Sequence, residues 1–331
     1  MTSELHRATL TLDTHIDIPF PNGPSFFEET KRNVDLPKMR RGHMAAGVFV
    51  AYVAQGQRTA EANAASVERA TAMLQFIKTM AQDGARHCVT ADEIEAAFAD
   101  GATIIISAVE NGQACGGEPG RLRGFRDLGA RYLTLTHFGH NALGDSSNPR
   151  RDLNDPEEEH GGLSALGREA VAELNRVGML VDIAHTSKKT MMQAAGLSRT
   201  PVLSTHSCLK AFNDNPRNLD DEQLDVLRDV GGVVQITAVP SFLKQGGKIE
   251  TVTVSDYIDQ IDYAVKRIGV EHVGISSDFD GGGGFTGWRD ASECGNLTDE
   301  LVRRGYGRTE ISLLWGGNFL RLLRLAEQRA E

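Results

Sequence analysis

Apolar and polar positions along the chain follow two periods. Short runs rich in Val, Ile and Leu are separated by stretches whose apolar residues recur every three to four positions, the pattern of a parallel sheet built from βα units. The predicted strands lie at residues 10–18, 45–53, 103–109, 132–136, 179–184, 202–205, 232–238 and 273–277. That is the number a closed (β/α) barrel requires. Helical periodicity is clearest in SALGREAVAELNRVG, residues 164–178, where Leu166, Ala170, Val171, Leu174 and Val177 share a face between Ser164 at the N-cap and Gly178 at the end. Segments 61–81, 188–195, 221–230, 255–268 and 309–328 follow the same pattern. No repeat, low-complexity tract or Pro/Ser-rich linker interrupts the alternation, so residues 1–331 are expected to form a single α/β domain of the (β/α)8, TIM-like kind. One connection stands apart. Residues 137–162 are polar and rich in Gly, Asn and Asp, and a loop this long in a compact domain is usually functional or disordered.

The first strand carries polarity that a buried strand does not want. In LDTHIDIPF, residues 12–20, strict alternation puts Asp13, His15 and Asp17 on one face and Leu12, Thr14, Ile16 and Ile18 on the other. An unpaired buried charge is expensive, so such a face coordinates a metal or is paired internally. The later strands add to it. The reacting groups of a barrel sit where its strands end, and there the sequence delivers Glu110 in SAVENG, His137 in LTLTHF, His185 in LVDIAH, His206 in VLSTH and Asp278 in GISSDFDGGGG. Singly, each histidine reads as a hydrogen-bonded core or cap residue, and Glu110 and Asp278 read as N-caps. Converging on one mouth, four imidazoles and several carboxylates call for a cation to hold them. Imidazole and carboxylate suit zinc-like ions. Two ions fit better than one, with His15 and Asp17 on the first, His185 and His206 on the second, and Glu110 bridging them at roughly 3.5–4 Å. A water shared between such ions falls in pKa from 15.7 towards about 7, making hydroxide available.

Composition narrows the classes by exclusion. Apolar residues make up 40% and charged residues 24% of the 331, with no long uncharged apolar run, as in soluble globular proteins. A net charge of −10 and the absence of a basic stripe argue against nucleic acid or an anionic membrane as partner. The Arg/Lys clusters at 38–41 and 303–304 read as helix ends or solvated faces. Cys88, Cys115, Cys208 and Cys294 lie far apart with no CxxC pair, so buried or incidental thiols are expected rather than disulfides. The first strand begins too early to leave room for a secretory signal, so the expected compartment is the cytoplasm.

The ordered series DTHID, SAVENG, RYLTLTH with its later GDSS, GLSALGREAVAELNRVGMLVDIAHTS, PVLSTHS, PRNLDDEQL and GISSDFDG resembles the membrane (renal) dipeptidase family of binuclear zinc peptidases from about residue 12 to residue 323. The resemblance implies a zinc-dependent dipeptidase with two Zn2+ per chain, acting on a dipeptide through a metal-bridged hydroxide. It implies His15, Asp17 and Glu110 as ligands of one zinc, and Glu110, His185 and His206 as ligands of the other. His137 then contacts the substrate carbonyl, Arg217 of PRN helps hold the substrate, and Asp278 shuttles the proton. A homodimer is implied as well. Independent chemistry supports these roles: an oxyanion wants a donor, a leaving amine wants a proton, and an arginine can grip a free C-terminal carboxylate with two parallel bonds. An ordinary surface ion pair is the other reading of Arg217.

The chain departs from the family in loop 137–162, which lacks the Asn- and Trp-containing version, and at Phe242, which has no hydroxyl; either can alter side-chain preference. It ends in a charged segment, RLAEQRAE, so the location of membrane-anchored members does not transfer. Two rivals share these features: a metal-dependent amidohydrolase acting on N-acyl amino acids or cyclic amides, and a non-catalytic binding module on the same scaffold.

Overall fold

The computed structural model describes residues 4–331. Nine strands form one sheet in which every pairing is parallel: β1 Leu12–Ile16, β2 Ala46–Tyr52, β3 Ala85–His87, β4 Thr103–Glu110, β5 Ala130–Thr134, β6 Leu180–Asp182, β7 Leu203–Ser207, β8 Val233–Ile236 and β9 Val273–Ile275. Neighbours run β1-β2-β4-β5-β6-β7-β8-β9, and β3 pairs with β4 off this path. The ring closes beyond the last strand. A parallel bridge joins Ile16 to Phe279, Asp17 N donates to Phe279 O (2.9 Å), and Asp278 N donates to His15 O (3.1 Å). The expected eight-stranded barrel is therefore present. The extra β3 is a three-residue run, ARH, too short and too polar to read as a strand.

Along β2 and β4, successive residues enter different apolar clusters: Ala46, Val48, Val50, Ile104, Ile106 and Ala108 one, Phe49, Ala51, Ile105 and Val109 the other. The first set shares its parity with Tyr52 and Glu110, which line the cleft at the top of the barrel, so it marks the inner face. The helix Asn318–Gln328 adds Phe319, Leu322 and Leu323 to the inner cluster. The larger cluster packs the outer face against helices such as Ala60–Thr79, Ala165–Val177 and Val254–Ile268. All four cysteines are free and buried, as expected.

Two expectations need correction. Strict alternation fails in the first strand. Pairing with β2 shifts between Asp13 and Ile16, and Leu12 and Ile16 fall in different apolar clusters. Asp13 therefore does not join His15 and Asp17; its Oδ1 accepts from His15 N (3.2 Å) and Ser277 N (2.9 Å), tying the first and last strands together. Lys38 is not solvated. It is buried, pairs with Asp35 (2.9 Å) and donates to the carbonyls of Thr30 (2.7 Å) and Arg32 (2.5 Å), which locks the loop behind β1. The predicted helix 309–328 is present and runs through a π turn at Leu313–Gly317. Helices Leu36–Gly42, Ala91–Ala99 and Gly295–Arg303 were not anticipated, being short or weakly periodic.

The long connection 137–162 is ordered by its own polar side chains. Asp145, almost wholly buried, accepts from the backbone N–H groups of Glu159 (3.0 Å), His160 (3.0 Å) and Gly162 (2.9 Å). Asn141 donates to Leu135 O and accepts from Leu143 N. Among the described residues no helix is long and apolar enough to cross a membrane. Asp145→Ala leaves three backbone N–H groups, that of buried Gly162 among them, without this partner, at about 1–3 kcal/mol for each that water does not reach. The variant is expected to melt several degrees below the parent; an unchanged melting curve would show that the loop does not depend on Asp145.

Candidate metal centre

The strand ends bring all the predicted ligands together. His15 lies within β1 and Asp17 just after it; Glu110 is the last residue of β4, and His206 lies within β7. His137, His185 and Asp278 stand in the loops three residues beyond β5, β6 and β9. Neither Glu110 nor Asp278 caps a helix; Asn111 caps the turn after β4, at φ 82°, with its amide on Val53 O and Gln55. Other left-handed residues cluster at the same rim, His185 at φ 63°, Asp278 at 59° and Asp280 at 63°, as backbone strain does around functional sites.

The two oxygens of Glu110 face two groups of ligands. Oε2 lies 3.5 Å from His15 Nε2, which is 4.0 Å from Asp17 Oδ2. Oε1 lies 3.4 Å from His185 Nε2 and 3.5 Å from His206 Nε2, and these two ring nitrogens are 2.9 Å apart. Ligand atoms about 2.0–2.1 Å from one tetrahedral ion stand about 3.3–3.4 Å from each other, so these separations are close to those of a shared coordination shell. His137 Nε2 is further from Oε1, at 3.8 Å. Asp278 offers an oxygen within 4.8 Å of ligand atoms of His15 and Asp17.

Hydrogen bonds behind the rings set their tautomers. The Tyr132 hydroxyl donates to Thr14 O (2.9 Å), so it accepts from His15 Nδ1–H (3.0 Å) and leaves Nε2 bare, buried and without a hydrogen-bond partner. The Thr205 hydroxyl donates to Asp182 Oδ2 (2.7 Å) and accepts from His206 Nδ1–H (2.8 Å), again leaving Nε2 bare. Asp182 also accepts from the Thr134 hydroxyl (2.5 Å) and Thr205 N (2.9 Å). Bare imidazole nitrogens aimed at carboxylates repel, unless a cation lies between them.

Charge points the same way. Burial and the neighbouring Glu110 push Asp17 well above the usual carboxylate range, and burial pushes Asp278 up to about 7. Burial opposes ionisation of Glu110 too, but His15 and His137 outweigh it and hold Glu110 well below the normal range. Burial alone would depress His15, yet Glu110, Asp278 and Asp17 outweigh it and raise its pKa to about 10. Three carboxylates converging on one ring mark a place that favours positive charge. Burial keeps His185 and His206 neutral, the form that binds metal, and lowers His137 to about 4. Donor set, spacing and charge all fit two divalent cations. Gly281 is required beside them, since a Cβ there would stand 2.1 Å from Asp17 Oδ2 and 2.3 Å from Asp278 Oδ1.

Above the ligands opens a cleft of about 650 Å³, walled by Ile18, Phe20, Tyr52, Phe138, Val239 and Phe242 and by the charged Lys31, Arg32 and Asp280. Phe242, the departure from the family pattern, is thus part of the wall. Arg217 does not line this cleft. It faces a second cavity of about 220 Å³ that shares His185 as wall. Its Nη2 donates to His206 O (2.9 Å), its guanidinium lies 5.4 Å from the Phe242 ring centre, and it forms no ion pair among the described residues. Sequence reasoning missed Tyr132, Thr134, Asp182 and Thr205 behind the ligands, and Arg32 in the cleft. The polar residues inside the apolar strands LTLTH and LVDIAH were the available signal.

The family model "Membrane dipeptidase (Peptidase family M19)" matches residues 1–331. Dipeptidase verJ of Clonostachys rogersoniana is 32% identical over 336 aligned positions, covering 96% of this chain and 84% of that protein. The crystal structure of the probable dipeptidase PvdM from Pseudomonas aeruginosa superposes with a TM-score of 0.93 at 28% identity, covering 99% of this chain and 98% of that one. A metallo peptidase from Rhodobacter sphaeroides, liganded with a phosphinate mimic of the dipeptide L-Ala-D-Ala, gives 0.78 at 26% identity, covering 96% and 99%.

The hydrogen bond from His15 to Tyr132 can be tested without touching a ligand. Tyr132→Phe is expected to keep the fold and weaken metal binding by roughly 10–100-fold in competition with a chelator; unchanged affinity would show that the hydroxyl does not orient His15.

Proposed function

The chain belongs to the membrane dipeptidase family, and from that premise we propose that it is a dipeptidase that uses two zinc ions to hydrolyse the single peptide bond of a dipeptide. One observation carries the reading: Glu110 turns one oxygen to His15, which has Asp17 at its side, and the other to His185 and His206, at the floor of a cleft whose volume falls in the ~300–1,000 Å³ range of small-molecule sites. Relatives named dipeptidases and a neighbour holding a dipeptide mimic support the choice of substrate.

When bound, the two cations supply Lewis acidity, polarising a carbonyl and lowering the pKa of a water towards about 7. The remaining work belongs to side chains. His137, held neutral by burial, can present an N–H to the substrate carbonyl oxygen as negative charge develops there. Asp278 takes up the proton lost by the attacking water and returns it to the nitrogen of the leaving amine; a carboxyl raised towards neutrality is suited to both halves of that transfer. Arg217, buried, without an ion pair and packed behind His206 and Phe242, is assigned to the substrate's terminal carboxylate. The apolar walls limit water around the reacting groups.

Hydrolysis of L,L and L,D dipeptides is expected to vanish with a chelator and return with zinc; full activity in metal-free protein would overturn the proposal. A dipeptidase should discriminate against N-acetylated dipeptides, whereas preference for the acetylated form would favour the deacylase reading. Asp278→Asn is expected to lower kcat by roughly 10²–10⁴-fold with both metals retained; near-normal turnover would remove Asp278 from the mechanism.

A further inference from the structure

The cleft contains a cation that the proposed reaction does not use. Arg32 sits in the loop after β1, and that loop is held rigidly. Lys38 Nζ binds Arg32 O (2.5 Å), Thr30 N binds Asp35 Oδ2 (2.9 Å), and Asn33 N binds Asp280 Oδ1 (2.7 Å). The Arg32 side chain is only 3% exposed, lies 5.8 Å from the Phe26 ring centre and forms part of the cleft wall. Its nearest carboxylate is Asp280, with Nε 3.5 Å from Oδ2, and neither Nε nor Nη2 has a hydrogen-bond partner. Asp280 is already occupied by the backbone of Asn33 and Val34. Beside it, Lys31 is exposed, lines the same cleft and forms no ion pair among the described residues.

A desolvated guanidinium with unsatisfied donors is costly to maintain, and a planar guanidinium matches a carboxylate. The other carboxylates of this arc, Asp17 and Asp278, belong to the candidate metal centre, so Asp280 is the one anion beside Arg32, and Lys31 has none paired with it. Arg217, by contrast, stands in the loop after β7, separated from the β1 loop by β8 and β9 with Asp278 in between. A substrate held at its terminal carboxylate by Arg217 would meet Arg32 with a different group. We infer that Arg32, assisted by Lys31, forms a second carboxylate subsite that selects dipeptides carrying an acidic side chain. This specificity rests on the dipeptidase reading above.

The test compares isosteric pairs on the zinc-loaded enzyme: Ala-Glu against Ala-Gln, and Glu-Ala against Gln-Ala. At one of the two positions kcat/KM for the acidic member is expected to exceed that for the amide by roughly tenfold or more. In Arg32→Met that ratio should fall to about one, chiefly through KM, and Lys31→Met should reduce it less. A wild-type ratio near one at both positions would overturn the subsite. So would an Arg32→Met enzyme that loses activity equally on Glu and Gln substrates and keeps their ratio, which is the result expected if Arg32 merely braces Asp280 or grips the terminal carboxylate. If Arg32→Met does not fold, the wild-type ratio and its decrease in Lys31→Met decide. Failure of the wild-type enzyme on every dipeptide would instead overturn the dipeptidase reading, and the subsite with it.

Discussion

The burial of one carboxylate organises this protein. Glu110 ends a strand whose inner face is otherwise apolar, and there it is surrounded by imidazoles from four other strands or their loops. A buried carboxylate needs compensating charge, and bare ring nitrogens cannot supply it. Cations between them would satisfy the carboxylate and the rings together. The outer arrangement follows from that demand: Tyr132 and Thr205 fix the tautomers, Asp182 and Thr134 fix Thr205, and Asn111 fixes the turn that ends β4.

The barrel is the means by which distant residues meet. His15 and Asp278 lie at opposite ends of the chain, yet become neighbours because the first and last strands close the ring. Closure is itself polar. Asp13 ties β1 to Ser277, and the same shift in pairing that places it there separates it from the candidate metal ligands. Chemistry on this scaffold is therefore written in the loops, and the cleft walls from the β1, β5 and β8 loops are where related proteins can differ in substrate.

Much of this was legible in the sequence because it was periodic. Strand runs of Val and Ile, each ended by His, Glu or Asp, marked both barrel and rim, and the structure brings His15, Asp17, Glu110, His185 and His206 together as that pattern required. What remained hidden was set by geometry without a period. The shift at Asp13 depends on how β1 pairs with β2, and β3 exists only because β4 offers it an edge. Tyr132 and Asp182 look like ordinary strand residues until their hydroxyl and carboxylate are seen beneath the rings. Arg217 was read as a substrate anchor or a surface ion pair; it forms no ion pair among the described residues, and its packing behind Phe242 and His206 was not visible in the PRN motif. Arg32, in a segment with no strand or helix signal, could be placed only through the contacts of Lys38 and Asp280 with its loop.

The most direct measurement is anomalous X-ray diffraction at the zinc edge from crystals of catalytically active protein. Two peaks are expected on either side of the Glu110 carboxylate, one within bonding distance of His15 and Asp17 and the other of His185 and His206. A single peak, or none, in active protein would contradict the account.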